Sequence, residues 1–238
     1  MNNIALIIAG GSGNRMGQDI PKQFMHIGDS PVIIRTMLAF ERNPNIQAIA
    51  VVCLQGWETA LLSYANQYGI SKFKYTFPGG SNGQESIRNG VIGLLENGCH
   101  RDDIVLVHDA VRPLLSQDII SNNIAACKKN GNAITAIKCA EAILESGDMH
   151  SSESSIPRDK LFRTQTPQTF YLGELADAHK EALEKGITAS IASCTMMIEL
   201  GRKLWIVPGE ERNIKLTNSE DIELYKSLLK TEKEPWIK

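Results

Sequence analysis

"IIAGGSGNRMGQDIPKQF", residues 7–24, sets four glycines, one arginine and one lysine directly behind an apolar run. Two familiar phosphate loops fail on spacing. A G-x-G-x-x-G fingerprint needs a glycine at position 16, but Gly11 and Gly13 are followed by Asn14, Arg15 and Met16, and the next glycine is Gly17. A P-loop needs glycine immediately before Lys-Ser or Lys-Thr, whereas Lys22 follows Pro21 and precedes Gln23. What remains is a strand feeding A-G-G-S-G-x-R-M-G, with Lys22 seven residues after Arg15. Its glycines let backbone N–H groups approach an anion, and Arg15 and Lys22 add charge that a helix dipole alone does not supply. A tight strand-to-helix turn with solvated cations would read the same way.

Working outward, short apolar runs alternate with amphipathic stretches. The runs are "NIALIIA" (3–9), "IQAIAVVC" (46–53), "FKYTF" (73–77), "DIVLVHDA" (103–110) and "AITAIK" (133–138). Between them lie helical periods at 31–43, 57–69, 84–98 and 116–130, the last capped by Ser116. Continuous apolar strands separated by helices predict an α/β fold with a doubly wound, mostly parallel sheet covered on both faces. Residues 139–163, "CAEAILESGDMHSSESSIPRDKLFR", break the pattern, being too long and polar for a simple connection, and read as a functional projection. Helical patterns return at 172–185 and 190–200. Strand-like "KLWIVPG" and "NIKL" follow, then a closing helix capped by Asn218 or Ser219. The expectation is one domain over 1–238 with one projection.

The chain has 238 residues, 42% hydrophobic and 22% charged, enough for one well-cored α/β domain. A net charge of −2 argues against a nucleic-acid partner, so any phosphate chemistry must come from a local cation cluster. "MNNIALII" lacks the basic start of a signal peptide, and no apolar run approaches eighteen residues, so no membrane partner is expected and the location reads as cytoplasmic. Five cysteines (53, 99, 127, 139 and 194) are scattered singly, which supports neither a disulfide frame nor a zinc site.

Five motifs in order resemble the polyol phosphate cytidylyltransferases, nucleotidyltransferases of the Rossmann-like, GT-A-like type whose members include methylerythritol phosphate and ribitol phosphate cytidylyltransferases. They are "AGGSGNRMG" with "PKQF", "PGGSNGQESI" (78–87), "VHDAVRP" (107–113), "RTQTPQTF" (163–170) and "NIKLTNSEDI" (213–222). "PKQF" and "QTPQTF" look more like the ribitol phosphate branch.

The resemblance implies attack of a polyol phosphate oxygen on the α-phosphorus of CTP, with release of pyrophosphate and with Mg²⁺ as cofactor. It assigns catalytic roles to Arg15, Lys22 and Lys215, and nucleotide contacts to Ala9, Gly10, Gly11, Gly13, Gly79, Gly80, Ser81, Ser86 and Asp109. Asp109 is also the implied metal ligand. Arg158, Thr166 and Lys215 are implied on the acceptor. Apart from the resemblance, Asp109 reads equally as a helix cap or as the partner of Arg112. His108, a lone histidine on an apolar strand, reads as buried and hydrogen-bonded. The projection at 139–163 matches an arm that embraces a second subunit, which implies a homodimer with composite sites and a Ser-rich tip that is mobile in a lone chain.

Four positions depart from the family pattern. Gly83 stands where arginine is usual, Glu141-Ala142 where Asp-Thr is usual, "TASIASCT" (188–195) lacks an acid, and Arg212 replaces a common carboxylate. Ribitol 5-phosphate is therefore the favoured acceptor, with methylerythritol phosphate, or a non-catalytic nucleotide-binding relative, as the alternatives.

Overall fold

The apolar run at the amino terminus becomes the centre of a seven-stranded sheet. The computed structural model describes residues 1–11 and 20–233. The first half of the chain gives β1 (Asn3–Ala9), a small hairpin of β2 (His26–Ile27) and β3 (Ser30–Pro31), α1 (Val32–Glu41), β4 (Ala48–Cys53), α2 (Glu58–Gln67), β5 (Phe73–Pro78), α3 (Gly83–Glu96), β6 (Ile104–Asp109) and α4 (Gln117–Asn130). The second gives β7 (Asn132–Lys138), β8 (Ile143–Glu145), β9 (Ser154–Ile156), β10 (Phe162–Tyr171), α5 (Leu172–Glu184), α6 (Ser193–Glu199), β11 (Ile206–Pro208) and α7 (Ser219–Lys233).

The sheet runs β11-β7-β10-β6-β1-β4-β5, and only β10 is antiparallel to its neighbours. Every residue of β4, "AIAVVC", is buried, as a strand covered on both faces requires. Ile7 and Val51 point into one core with Met37, Phe40, Leu61 and Ile124, under α1, α2 and α4. Leu6 and Val52 point into the other with Val91, Leu94, Leu175 and Met196, under α3, α5 and α6. The doubly wound, mostly parallel sheet is therefore as the alternation predicts. The chain leaves β1 toward β4 and β5 and later returns on the other side as β6, so a topological switch point lies between Ala9 and Asp109, where open sheets of this kind bind ligands.

Two assignments are corrected. "NIKL" is not a strand: its segment lies extended against the chain after β6, with Leu216 N donating to Val111 O (2.9 Å) and Leu216 sunk beside Val111, Leu114 and Tyr225. One backbone bond to that chain and two buried side chains, Asn213 and Leu216, hold the segment without a ladder. Conversely "RTQTPQTF" falls within β10, the strand that joins β6 to β7. Its polar residues and Pro167 mask a strand whose ladder shifts register between Thr164 and Gln168.

The projection contains β8 and β9, paired as a separate hairpin with Leu144 and Met149 exposed. Its tip closes on itself: Asp148 accepts from the backbone N–H groups of His150 (2.9 Å) and Ser151 (2.8 Å). Capping follows the sequence, with Ser116 Oγ accepting from Ile119 N (3.3 Å) and Asn218 Oδ1 from Asp221 N (2.9 Å).

Candidate active site

A cavity of about 750 Å³ opens over the switch point. It brings together Ala9, Gly10, Gly11, Lys22, Gly80, Ser81, Ser86, Asp109, Thr166 and Lys215 from six separated stretches of chain. Gly13 and Arg15 lie outside the described residues. Gly79 does not line the cavity. It sits behind it, where a Cβ on Gly10 would stand 2.9 Å from the Gly79 Cα. Real Cβ atoms do not come that close, so the loop after β1 and the loop after β5 touch backbone to backbone, and both positions require glycine.

The segment after β5 is held by its own side chains. Ser86 Oγ accepts from Gly80 N (2.9 Å) and donates to Asn82 O (2.8 Å), and Asn82 Oδ1 caps α3 by accepting from Glu85 N (2.9 Å). Glu85 reaches back to accept from Ser81 Oγ (2.5 Å) and Ser81 N (2.7 Å), and these bonds, the hydroxyl's foremost, hold its carboxyl below the usual range. On the opposite side, "PKQF" forms a single tight turn. Phe24 is buried and stacks on Trp57 at 4.6 Å, while Gln23, 2% exposed, donates from Nε2 to the carbonyls of Ala9 (2.9 Å) and Gly11 (2.8 Å). That leaves Lys22 on the cavity wall. Sequence reasoning missed Gln23; its signal was its place between a buried aromatic and an implied phosphate lysine.

The charged part of the cavity centres on Asp109 at the carboxyl end of β6. Its Oδ1 accepts from Lys215 Nζ (3.0 Å) and its Oδ2 from Arg112 Nε (2.9 Å). Burial pushes this carboxyl up, but Lys215 and Arg112 outweigh it and the net shift is downward, so Asp109 is ionised. Arg112 thus partners Asp109, as one reading of the sequence had it, without displacing Asp109 from the cavity. Arg112 also donates from Nη1 to Asn213 O (2.7 Å), which ties it to the segment that carries Lys215. Asn213, fully buried, donates to Thr166 O (2.9 Å), and Thr217 N donates to Asp221 Oδ2 (2.6 Å), so the Lys215 segment is fixed at both ends.

Beneath Asp109 runs a buried hydrogen-bonded chain. Asp109 N donates to Thr166 Oγ1 (3.1 Å), which lies 3.0 Å from His108 Nδ1, and His108 Nε2 lies 3.2 Å from Arg112 O. A carbonyl only accepts, so Nε2 carries the proton and Nδ1 accepts from the Thr166 hydroxyl. Burial pushes the imidazole down to about 4, which keeps it neutral. His108 is buried and hydrogen-bonded, as its setting in the sequence suggests. Thr166 lines the cavity, but its hydroxyl already braces Asp109.

Arg158 is not brought to this cavity. It lies beyond the β8–β9 hairpin with Nη1 on Ala140 O (2.8 Å). Gly83 lines the cavity at the first turn of α3, and a Cβ there would meet nothing within 4 Å. Ala142 is exposed and away from it.

A hard cation such as Mg²⁺ fits this donor set in one way. Among the described residues no three acidic, histidine or cysteine side chains cluster, so a protein cage is absent there, whereas Mg²⁺ commonly takes one or two carboxylates, waters and substrate phosphates. Asp109 is such a lone carboxylate, facing a cavity with Lys22 and Lys215 on its walls.

Comparison with known proteins agrees with this architecture. Among solved structures, the 4-diphosphocytidyl-2C-methyl-D-erythritol synthase of Anaerococcus prevotii superposes with a TM-score of 0.82 at 25% identity, covering 96% of each chain. A ribitol-5-phosphate cytidylyltransferase from Lacticaseibacillus paracasei is 40% identical over 228 residues, 95% of this chain and 97% of its own. A 2-C-methyl-D-erythritol 4-phosphate cytidylyltransferase from Syntrophotalea carbinolica is 33% identical over 234 residues, 97% of each. The family model described as IspD, 2-C-methyl-D-erythritol 4-phosphate cytidylyltransferase, matches residues 3–231, and the chain belongs to that family.

Proposed function

We propose that this protein is a Mg²⁺-dependent cytidylyltransferase that transfers CMP from CTP to a polyol phosphate, with ribitol 5-phosphate as the acceptor. The observation that carries the reading is the junction of two surfaces in one cavity: glycine loops over the switch point, and an ionised Asp109 held between Lys215 and Arg112. The choice of acceptor follows the relatives. Relatives named for ribitol 5-phosphate reach 40% identity in Lacticaseibacillus paracasei and 38% in Vibrio parahaemolyticus, with one in Lactiplantibacillus plantarum at 32%, against 33–35% for relatives named for methylerythritol phosphate.

In the reaction a phosphate oxygen of the acceptor attacks the α-phosphorus of CTP. The new P–O bond forms as the bond to the β-phosphate bridging oxygen breaks, and that electron pair leaves on pyrophosphate. Both reactants are anions, so the work of the chain is positioning and charge compensation. Lys22, with Arg15, holds the triphosphate against the backbone N–H groups of Gly10, Gly11 and Gly13, while Gly79, Gly80, Ser81 and Ser86 shape the cytosine side. Lys215 exchanges part of its contact with Asp109 for the α-phosphate and the incoming phosphate. Asp109 is the side chain that would hold Mg²⁺, which supplies charge neutralisation at the phosphates. Arg158, remote from the cavity of its own chain, serves the acceptor phosphate of a neighbouring copy. Residues 139–163 form the arm of a homodimer, and exposed Leu144 and Met149 supply its apolar contact. Among the described residues no helix is long and apolar enough to cross a membrane, and we read a single-domain cytoplasmic enzyme.

Incubation with CTP, Mg²⁺ and a panel of ribitol 5-phosphate, methylerythritol 4-phosphate and other polyol phosphates tests the reading. Pyrophosphate release is expected to be fastest with ribitol 5-phosphate. Faster release with methylerythritol phosphate would reassign the acceptor, and no release with any acceptor would overturn the activity.

A further inference from the structure

One apolar side chain on the cavity wall is left in water by the fold. Ile191, on the loop between α5 and α6, lines the cavity and is 95% exposed. The loop around it is fixed, however. Gln84 Nε2 donates to Ile187 O (2.6 Å), Asn82 Nδ2 to Thr188 O (3.2 Å), and Ser190 N to Gln84 Oε1 (2.7 Å). Just beyond Ile191, Ala192 N donates to Thr195 Oγ1 (3.0 Å) and Cys194 N to the buried Gln168 Oε1 (2.9 Å). Polar groups on both sides thus hold an isoleucine at the cavity rim, and among the described residues no apolar side chain covers it.

The bonds that seat the loop come from Asn82 and Gln84, which bracket Gly83, and Gly83 itself has open space where a side chain would begin. Ile191 and Gly83, tied together through the bonds of Asn82 and Gln84, line the cavity with Gly80, Ser81, Ser86 and Ile87, none of which carries a charge, and the open space at Gly83 is a notch in that wall. The charged side chains of the lining, Lys22, Asp109, Arg112 and Lys215, come from other stretches of the chain. An apolar side chain beside fixed backbone polar groups matches the face of a nucleoside, not a phosphate.

We propose that Ile191 is a nucleoside-contacting residue, covering the apolar face of the nucleoside of bound CTP across the notch that Gly83 leaves open. This rests on the cytidylyltransferase reading. Calorimetric titration of the full chain with CTP, without acceptor, tests it. Ile191→Ser should weaken CTP binding about tenfold by removing apolar area that the ligand would cover, and Ile191→Leu should stay within about twofold of wild type. Inorganic tripolyphosphate, which lacks the nucleoside, should bind wild type and Ile191→Ser alike. The melting temperature and sedimentation of Ile191→Ser should be unchanged, because the side chain is exposed.

Wild-type CTP affinity in Ile191→Ser, or an equal loss of tripolyphosphate binding, would overturn the proposal. So would dissociation of the assembly with CTP affinity intact, because that would make Ile191 a subunit contact. If wild type binds no CTP, the cytidylyltransferase reading falls and this proposal falls with it. If wild type binds another nucleoside triphosphate and Ile191→Ser weakens it, the base is revised and the role of Ile191 stands.

Discussion

The two halves of the cavity are built by different means. The half proposed for the nucleotide is built largely of backbone: Gly10 against Gly79, with Gln23 and Ser86 bonding the loops from behind and Lys22 on the wall. Its parts all lie within the chain. The half proposed for the acceptor is made of charge, with Asp109, Arg112 and Lys215 in contact and a neutral histidine chain beneath them, and Arg158 is set apart near the hairpin. The first half is a shape that tolerates little substitution. The second is a balance of charges that a substrate anion can redistribute.

The largest effect is expected where charge is removed. Lys215→Ala should lower turnover by about 10²–10³-fold, the usual loss when one preorganised stabilising group is deleted, while CTP affinity by calorimetry changes much less. Equal losses in both would erase the distinction between the halves.

Acid should weaken both halves through two buried histidines. His108 lies under the acceptor half, and His179 lies on α5 where it packs on α3, with neither ring nitrogen partnered. Burial pushes each imidazole down to about 4. The unfolded chain therefore takes up protons first, as pH falls below about 6.5. Stability is full above that pH and declines until about pH 4, with a loss of about 3 kcal/mol per histidine. Denaturant melts across that window check this, and His179→Leu should remove its share of the acid loss while leaving that of His108.

The smallest effect is expected from Gly10→Ala. The added Cβ must push two backbones apart, at a cost of about 1–3 kcal/mol in stability, and CTP should bind more weakly. A variant with normal melting and normal CTP affinity would show that the two loops are not locked together.

The sequence was most legible where physics is local. Apolar runs and caps at Ser116 and Asn218 set out the sheet and helices, and glycine spacing marked the backbone-built half of the cavity. It was least legible where partners are far apart along the chain. β10 escaped notice because its buried polar residues, Gln165, Gln168 and Thr169, find their bonds within the fold and so need no apolar pattern. "NIKL" misled because two buried side chains mimic a strand. Gln23 carries no composition signal, because its bonds to Ala9 and Gly11 exist only once the turn is made. The contact of Lys215 with Asp109 spans 106 residues, and only the resemblance placed both in one site.

The neutral histidine under Asp109 also constrains the kinetics. It is the one imidazole lining the cavity among the described residues; it stays unprotonated down to about pH 4, and Asp109 beside it is ionised. Neither has a proton to lose or gain near neutrality. Measured in the folded protein, short of the acid destabilisation that the two histidines bring, the acid limb of a rate profile is then expected to follow the reactants, through the second ionisation of the acceptor phosphate near pH about 6. A phosphonate acceptor with a different ionisation should move that limb by its own offset, with the protein unchanged.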